Sequence, residues 1–552
     1  MTNDPRSPSA PSRLPKVTAV ASALLALFVL TTACVAKSTA APIPSIEKKD
    51  GQAHLMVDGA PYLILGGQVH NSDTSNPADL NKAMDVLASW QANTVEVPIY
   101  WEAIEPSKGQ YDFSSVDMAI QAARKHGMRL VFLWFGTWKN GDSQYVPEWV
   151  KQDPKTYARV KGPSGEVTSI ISPFSQATMD ADTKTFAALM QHIKSVDQND
   201  RTVLMMQVEN EPGNINTDRD YSDAANKHFG EAVPTALLGY LDSHRQQLTA
   251  PMAQALSHAP KAGTWSQVFG EMAPEAFNAW AISNYVNTVA AAGKKEYALP
   301  MYVNVWLIEG VERPGRWPSG GGTVNVLDIW KADAPAIDMV SPDIYYPKFY
   351  DAAAQYNRPD NPLYVPEANF NPYFAAFAYT TFGAFNGIGF NPFGIDDVVT
   401  KGDVGAAIGM RFQDTYNVLR PLLPLIARSQ YTGKLHPVLQ GLGNGEDWKQ
   451  SVRLTERLSA NVDFTSPFDP VKGRAAGMII ELAPDDFVVV GTGFDVVFRE
   501  MQGPLRDAET LSIEEGTFQG DQWVRGRRLN GDERHVSLPQ DHSTILRVRI
   551  AK

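Results

Sequence analysis

The strongest constraint on the fold is an alternation that runs through residues 50–400 of the 552-residue chain. Short apolar runs recur there, and longer stretches with helical periodicity lie between many of them. The run at 202–208 hardly alternates apolar with polar residues, which indicates a strand that is buried on both faces. Such β-then-α units fit an α/β fold, namely a (β/α)₈ TIM barrel with insertions.

The apolar runs supply the number of strands that such a barrel needs. A doubly wound open sheet is the structural alternative, but no glycine-rich phosphate loop follows any of the early runs. We therefore predict a barrel over residues 50–435. Its eight predicted strands are 62–65, 94–97, 130–133, 202–208, 301–305, 339–341, 363–365 and 387–390.

A different pattern begins after residue 435, where short apolar runs are separated by tight turns. Near the end of the chain, Leu546, Val548 and Ile550 alternate with Arg547 and Arg549. This period of two is typical of a half-exposed strand. We predict that residues 436–552 form a smaller antiparallel β domain.

The first residues resemble an export signal. Basic residues precede an apolar run at 17–30, and the single cysteine of the chain, Cys34, follows it. This order predicts a signal peptide over 1–33 and a linker over 34–49. Cys34 stands where a bacterial lipoprotein carries its lipid, so lipid attachment there would hold the protein at a membrane.

Two other interpretations of this segment stay open. Ordinary cleavage after residues 38–40 would leave Cys34 in the discarded peptide, and an uncleaved anchor is a further alternative. The protein is therefore expected to be exported in a bacterium, either periplasmic or anchored to the outer membrane, or else secreted.

Charge and cysteine content exclude several classes of function. The formal net charge of −12 argues against a nucleic-acid partner, because such proteins need a basic face. One cysteine permits neither an internal disulfide nor a thiolate metal cluster. The sequence predicts no metal and no cofactor, and it carries no signal for an oligomeric state.

Glutamates follow two of the predicted strands, the fourth and the seventh. Glu211 ends the segment 207–211, and Glu367 follows the strand at 363–365. Retaining glycoside hydrolysis needs two carboxyl groups about 5–5.5 Å apart, one protonated and one ionised. Strands four and seven lie across the barrel opening, so Glu211 and Glu367 can form this pair. Asn210 could hydrogen-bond a sugar 2-hydroxyl.

Aromatic residues also lie at the predicted strand ends. Sugar rings present C–H faces that stack on aromatic side chains, while polar groups fix the hydroxyls. Trp138, Trp306 and Tyr345 are the aromatic residues that we predict to bind substrate.

These motifs together resemble glycoside hydrolase family 35, the β-galactosidases, in a bacterial branch with a C-terminal β domain. The resemblance implies that Glu211 is the acid/base and Glu367 the nucleophile. It also implies that Tyr100, Glu105 and Asn210 line a galactose subsite. The residues that carry the resemblance are 66–70, 100–101, 104–106, 109–113 and 207–211.

The predicted function is that of a retaining exo-β-galactosidase, with an oligosaccharide or plant-wall glycan fragment bearing a terminal β-galactose as its partner. The family's Ala-Glu-Trp on strand three reads Gly136-Thr137-Trp138 here. A related retaining β-glycosidase with another sugar specificity therefore stays open. A catalytically inactive glycan-binding barrel is the non-enzymatic alternative.

Overall fold

The computed structural model describes residues 42–310, 312–441, 448–466, 474–503 and 506–552, and within them eight parallel strands form a closed barrel. The predicted signal peptide, 1–33, and Cys34 lie outside these residues. The barrel strands are β1 (Ile64–Leu65), β2 (Thr94–Tyr100), β3 (Arg129–Lys139), β4 (Val203–Asn210), β5 (Met301–Trp306), β6 (Met339–Asp343), β7 (Tyr364–Ala368) and β8 (Gly389–Pro392).

Two parallel sheets make up the barrel wall. One runs in the order β2-β3-β4-β5-β6 and the other in the order β7-β8-β1. Single parallel bridges join them at both seams, Gln68 to Glu96 on one side and Ile344 to Ala368 on the other. The predicted (β/α)₈ architecture is thereby confirmed.

Each barrel strand is followed by a main helix that covers its outer face. The sequence explains where the first of these helices begins, because Asn76 caps its first turn and Pro77 occupies the first helical position. The eight helices are α1 (Pro77–Ser89), α2 (Ser114–Lys125), α3 (Gln176–Asp197), α4 (Ala273–Glu296), α5 (Leu327–Asp333), α6 (Phe349–Tyr356), α7 (Phe377–Gly383) and α8 (Gly402–Leu419).

Shorter elements lie in the connections. The longest insertion separates β4 from α4. The short elements are the helices Trp101–Ile104, Glu148–Lys151, Asp223–Gly230, Thr235–Ser243, Ala250–Ala255, Trp265–Phe269, Asp397–Thr400 and Leu423–Ser429, and a hairpin of Arg159–Lys161 and Val167–Ile171. No helix within the described ranges is both long enough and apolar enough to cross a bilayer.

Strand β3 shows how side chains are divided between the barrel interior and the outer shell. Val131, Leu133 and Phe135 belong to a buried cluster in the barrel centre that also contains residues of other strands. Leu130 and Phe132 point the other way and pack into the large core shared with the helices. Both faces of the strand are buried, as the absence of alternation in such strands predicts.

A small antiparallel sheet of Ser45–Lys49, Gln52–Val57 and Ala60–Pro61 precedes the barrel. Its side chains Leu55 and Val57 join the interior cluster and cover the amino end of the barrel. The predicted linker therefore differs from the structure at 45–49, which is a strand. Asp50 and Gly51 both have positive φ, as a two-residue type I′ hairpin turn requires, and an Asp-Gly pair is the sequence signal for such a turn.

The chain after α8 forms two antiparallel sheets, with the first strand beginning at Leu435. The larger sheet runs β9-β12-β13-β19-β16-β17, and the smaller contains β10, β11, β14, β15 and β18. Their bounds are β9 (Leu435–Leu439), β10 (Lys449–Arg453), β11 (Leu458–Phe464), β12 (Ala476–Ala483), β13 (Asp486–Thr492), β14 (Phe494–Glu500), β15 (Arg506–Asp507), β16 (Thr510–Gln519), β17 (Gln522–Arg528), β18 (Val536–Leu538) and β19 (Thr544–Ile550).

The larger sheet of the β domain has two apolar faces. Phe487 and Val489 of β13 pack toward the smaller sheet, while Val488 and Val490 join the core of the barrel. The predicted alternating strand is β19, in which Leu546, Val548 and Ile550 are buried. The β domain is therefore packed on the barrel through apolar side chains on one face of its larger sheet.

Candidate active site

A cavity of about 350 Å³ lies where the carboxyl ends of the barrel strands converge. In barrels of this kind the active site is found at this end, because the loops after the strands supply side chains from many directions. The residues that line it are Asn71, Lys139, Asn140, Glu211, Trp306, Leu307, Glu309, Asp343, Tyr345, Glu367 and Phe393.

Three buried carboxyl groups meet in this cavity. One carboxyl oxygen each of Glu211, Asp343 and Glu367 lies within 4.8 Å of the others. An upper limit of 4.8 Å between one oxygen of Glu211 and one of Glu367 is compatible with the carboxyl spacing of roughly 5–5.5 Å in retaining enzymes, and it is shorter than the roughly 6.5–9.5 Å typical of inversion. The predicted pair is therefore brought together by β4 and β7.

Glu367 sits in a ring of hydrogen-bond donors. Its Oε2 accepts from the Tyr345 hydroxyl at 2.6 Å. Its Oε1 accepts from Gln68 Nε2 at 3.1 Å and from the amides of Asn210 and Asn304, both at 3.4 Å. An ionised carboxylate only accepts hydrogen bonds, so donors on both oxygens stabilise the charged form that a nucleophile requires.

Glu211 has the opposite environment. Burial raises its pKa from an ordinary carboxyl value to about 7, and the negative charge of Glu367 adds to the rise. Burial and the same neighbour also raise the pKa of Asp343 well above its usual range. A carboxyl group with a raised pKa beside a carboxylate that accepts several hydrogen bonds fits the division of roles between an acid and a nucleophile.

The backbone around Glu211 is strained in a way that fixes its position. Glu209 and Glu211 both have positive φ, at 62° and 44°. Such conformations are uncommon for residues with a side chain and persist only where the surroundings hold them. The Glu211 backbone N–H donates to Asn304 Oδ1 at 2.8 Å, which ties the end of β4 to β5.

Glu209 lies beneath the site as a structural group. Its Oε2 accepts from the Trp138 backbone N–H at 2.7 Å. Burial and the neighbouring carboxyl of Asp182 raise its pKa well above the usual range. Asp182 in turn accepts from Trp134 Nε1 at 3.0 Å and from Thr137 Oγ1 at 2.8 Å. This buried network supports the strained turn and does not line the cavity.

The three carboxyl oxygens are close enough to share one cation. Their surroundings are unsuited to that use, because amide N–H groups of Gln68, Asn210 and Asn304 point at Glu367 Oε1. Donor groups around a carboxylate compete with a metal ion for the same lone pairs. The arrangement fits proton transfer and nucleophilic attack better than metal binding.

Trp306 and Tyr345 are placed in the cavity, as the sequence predicts. Trp306 ends β5 and is 36% exposed, so its ring is free to contact a ligand at the rim. Tyr345 follows β6 and binds Glu367 directly. Asn210 is fully buried, and its side chain is engaged by Lys139 and by Glu367.

Trp138 is not part of the cavity, which corrects its predicted role in substrate binding. The side chain is fully buried and packs edge-to-face on Tyr285 of α4, with 4.8 Å between ring centroids. It points to the outer side of the barrel wall, as does Trp134 on the same strand. Position at a strand end does not reveal which face a side chain takes.

Glu105 and Tyr100 also lie outside the cavity lining. The Glu105 carboxylate is occupied by the Gly109 backbone N–H at 2.6 Å, by Trp101 Nε1 at 3.0 Å and by the Thr185 hydroxyl. The Tyr100 hydroxyl donates to the backbone oxygen of Asn71, itself a lining residue. Glu105 therefore stabilises a loop, and Tyr100 supports the cavity wall from behind.

Several residues in or next to the cavity were absent from the sequence prediction. Lys139 ends β3, Asp343 ends β6, and Asn304 on β5 reaches both Asp343 and Glu367. A charged residue that ends a buried strand is the available signal for Lys139 and Asp343. For Asn304 the signal is weaker, because an amide inside a strand serves equally well as a structural group.

The fold and the site define a class of protein. Two buried glutamates lie at the carboxyl ends of β4 and β7, one with a raised pKa and one surrounded by hydrogen-bond donors. Such a pair is typical of a barrel glycoside hydrolase. The family comparison agrees, since residues 54–281 match Glycosyl hydrolases family 35. The resemblance that the motifs predict is confirmed over this segment. Glu211 lies within the matched residues and Glu367 beyond them.

The β domain has its own match. Residues 412–538 match a domain of unknown function, DUF5597. The match begins inside α8, the last barrel helix, and ends at the last residue of β18. The second part of α8 and the strands β9 to β18 are thus matched together, and residues of both belong to one apolar core.

One curated relative is named a β-galactosidase and another a β-galactosidase-like protein. A β-galactosidase of Xanthomonas manihotis is 27% identical over 171 residues, which is 30% of this chain and 26% of the relative. Beta-galactosidase-1-like protein 3 of Homo sapiens is 26% identical over 177 residues, 31% of this chain and 25% of the relative. The chain thus matches about a quarter of the length of these curated relatives.

The solved structures that match this chain include two β-galactosidases. That of Bacillus circulans sp. alkalophilus gives a TM-score of 0.46 at 15% identity, covering 66% of this chain and 57% of the other. That of Rahnella sp. R3 gives 0.45 at 16% identity, with the same coverage of both chains.

Proposed function

We propose that this protein is a retaining exo-β-galactosidase that removes terminal β-galactose from oligosaccharides or plant-wall glycan fragments. The observation that carries the proposal is the meeting of Glu211 and Glu367, whose carboxyl oxygens lie within 4.8 Å in opposite environments. The names of the relatives indicate galactose as the sugar, and the placement of the two carboxyl groups indicates the reaction mechanism. A binding protein would have no need to separate the protonation of two adjacent carboxyl groups.

The proposed reaction has two displacements. First, the Glu367 carboxylate attacks the anomeric carbon while the glycosidic C–O bond breaks and the Glu211 proton passes to the leaving oxygen. In the second, Glu211 takes a proton from water, whose oxygen attacks the same carbon and breaks the ester to Glu367. The pKa of Glu211 near 7 suits both parts, because one group must release and regain a proton.

Cavity size and aromatic placement support cleavage at a chain end. A volume of about 350 Å³ with four carboxyl side chains among its lining residues suits a terminal sugar better than the middle of a long chain. Trp306 at the rim offers a ring on which the leaving sugar can stack. An open cleft with many such rings would instead favour internal cleavage.

The proposal is tested with a panel of p-nitrophenyl glycosides, namely β-galactoside, β-glucoside, β-xyloside and β-glucuronide. We expect kcat/KM to be highest for the β-galactoside, and NMR to show β-galactose as the first product because two inversions retain configuration. Preference for another sugar would change the proposed substrate and leave the proposed mechanism unchanged. Binding of glycans without any product would support the inactive barrel, and an α-anomer as first product would contradict the double displacement.

We also propose that the protein is exported and carries a lipid on Cys34. The order of basic residues, apolar run and cysteine supports this. In a bacterial host, wild-type protein should be found in the membrane fraction and incorporate labelled palmitate, while Cys34→Ala should lose the label. A mature N-terminus after residue 40 with no label would show ordinary secretion instead.

A further inference from the structure

Lys139 is a buried cation at the centre of the site. It is 6% exposed and ends β3, and its Nζ donates to Asn210 Oδ1 at 3.0 Å. The ammonium group also lies 5.0 Å from the centre of the Phe135 ring. Burying an ammonium group is costly unless it is paired. Among the described residues that line the cavity, Lys139 is the only one with a basic side chain.

The backbone holds Lys139 in register with the end of β4. The Lys139 N–H donates to the carbonyl of Asp142 at 2.8 Å, which closes a turn through Asn140 and Gly141 with φ of 54° and 71°. The Asn140 N–H donates to the Asn210 carbonyl at 3.2 Å. The end of β3 is therefore tied to the residue that precedes Glu211, and the position of the ammonium group follows from this tie.

Hydrogen-bond chemistry then fixes the amide of Asn210. A lysine ammonium group has three donors and no acceptor, so the atom of Asn210 that faces it must be the carbonyl Oδ1. The Nδ2 group is thereby turned toward Glu367 Oε1, 3.4 Å away. Without the cation, the amide could rotate and present its oxygen to the carboxylate, which would repel it.

On this geometry we propose that Lys139 is a positioning residue of the site: it locks the Asn210 amide against Glu367 and offsets part of the negative charge of the carboxyl cluster. The inference rests on the proposed function, because it assigns Lys139 a role in that reaction. Lys139 touches no reacting atom in this role and acts through Asn210 and through its charge.

The charge effect has a definite sign. Glu211 faces Glu367 from β7, Asp343 from β6 and Lys139 from β3. Burial and Glu367 raise the pKa of Glu211, whereas Lys139 lowers it because a cation favours the ionised form. Removing the cation should raise the pKa of Glu211 further. The acid must be protonated for the first step, so the alkaline limb of the pH–rate profile should move to higher pH.

The test compares Lys139→Met with the wild type on p-nitrophenyl β-galactoside. We expect kcat/KM at neutral pH to fall by about 100-fold, the size of loss that misplacing a group in an active site can cause. We also expect the alkaline limb of the pH–rate profile to move to higher pH by about one unit. Lys139→Arg should keep the limb near its original place, since the charge remains. Lys151→Met is the matched control, because Lys151 is half-exposed, pairs with Glu102 and should change neither quantity.

A second readout makes the test independent of turnover. Carboxyl ¹³C NMR of glutamate-labelled protein, with the Glu211 signal assigned by its loss in Glu211→Gln, gives the pKa of Glu211 directly in each variant. A raised pKa of Glu211 in Lys139→Met supports the inference even if no glycoside is hydrolysed. The lack of hydrolysis would then count against the proposed function and not against the role of Lys139. An unchanged pKa would overturn the inference, whether or not activity falls. If Lys139→Met fails to fold, Lys139→Gln is measured in its place.

Discussion

Replacing Glu367 with glutamine is expected to lower kcat for p-nitrophenyl β-galactoside by about 10⁴-fold or more, the scale seen when a covalent nucleophile is removed. The amide cannot form the glycosyl ester, so the double displacement loses its first bond-forming step. Glutamine is nearly isosteric with glutamate, and it can still accept hydrogen bonds through its carbonyl oxygen. The loss should therefore reflect chemistry and not collapse of the site.

Two measurements separate chemistry from misfolding. Glu367→Gln should keep the thermal unfolding midpoint within a few degrees of the wild type and should still bind galactose. Glu367→Gly with added azide should regain turnover and release α-galactosyl azide, because a small external nucleophile makes a single inversion. Near-wild-type activity in Glu367→Gln would show that another group is the nucleophile, and Asp343 would then be the residue to examine.

The meeting of Glu211 and Glu367 could be predicted from the sequence because the barrel topology determines where strand ends lie. Parallel barrel strands bring their carboxyl ends to one place, so a glutamate after β4 and another after β7 must approach each other. No side-chain detail is needed for that step. The barrel and the β domain were predictable for the same reason, since periodicity and burial pattern are properties of whole segments.

The sugar-binding residues were predicted less well, and Trp138 shows why. Its place at the end of β3 suits a ligand contact, but the strand turns this ring outward against Tyr285. Lys139, the next residue, is the one that reaches the cavity. A shift of one residue reverses the face of a strand, and strand ends with bulges do not keep a simple alternation.

The strained turn at the end of β4 could not be predicted from the sequence either. Positive φ at Glu209 and Glu211 depends on support from Trp138, Asp182 and Asn304, which come from three other elements. Nothing in the local residues requires this backbone, because glutamate prefers other conformations. Strain of this kind is held by tertiary contacts, and it positions the carboxyl group of Glu211, the proposed acid.

Replacing Glu211 with alanine is expected to have an effect that depends on the leaving group. For a natural β-galactoside, whose leaving alcohol needs a proton, kcat/KM should fall by about 10²–10⁴-fold. For 2,4-dinitrophenyl β-galactoside, whose leaving group departs without assistance, the first step should be nearly unchanged and the galactosyl-enzyme should accumulate. A burst of dinitrophenolate followed by slow turnover is the expected time course.

Azide and pH give the decisive controls for this variant. Azide needs no general base, so it should accelerate turnover of the accumulated intermediate and give β-galactosyl azide with retained configuration. The wild-type alkaline limb near pH 7, which follows the pKa of Glu211, should vanish in Glu211→Ala for the activated substrate. Glu231→Gln is the matched control, because this exposed residue pairs with His228 and should leave both profiles unchanged. Equal losses for both leaving groups, with the limb retained, would mean that the acid is another residue, with Asp343 the nearest carboxyl that could donate.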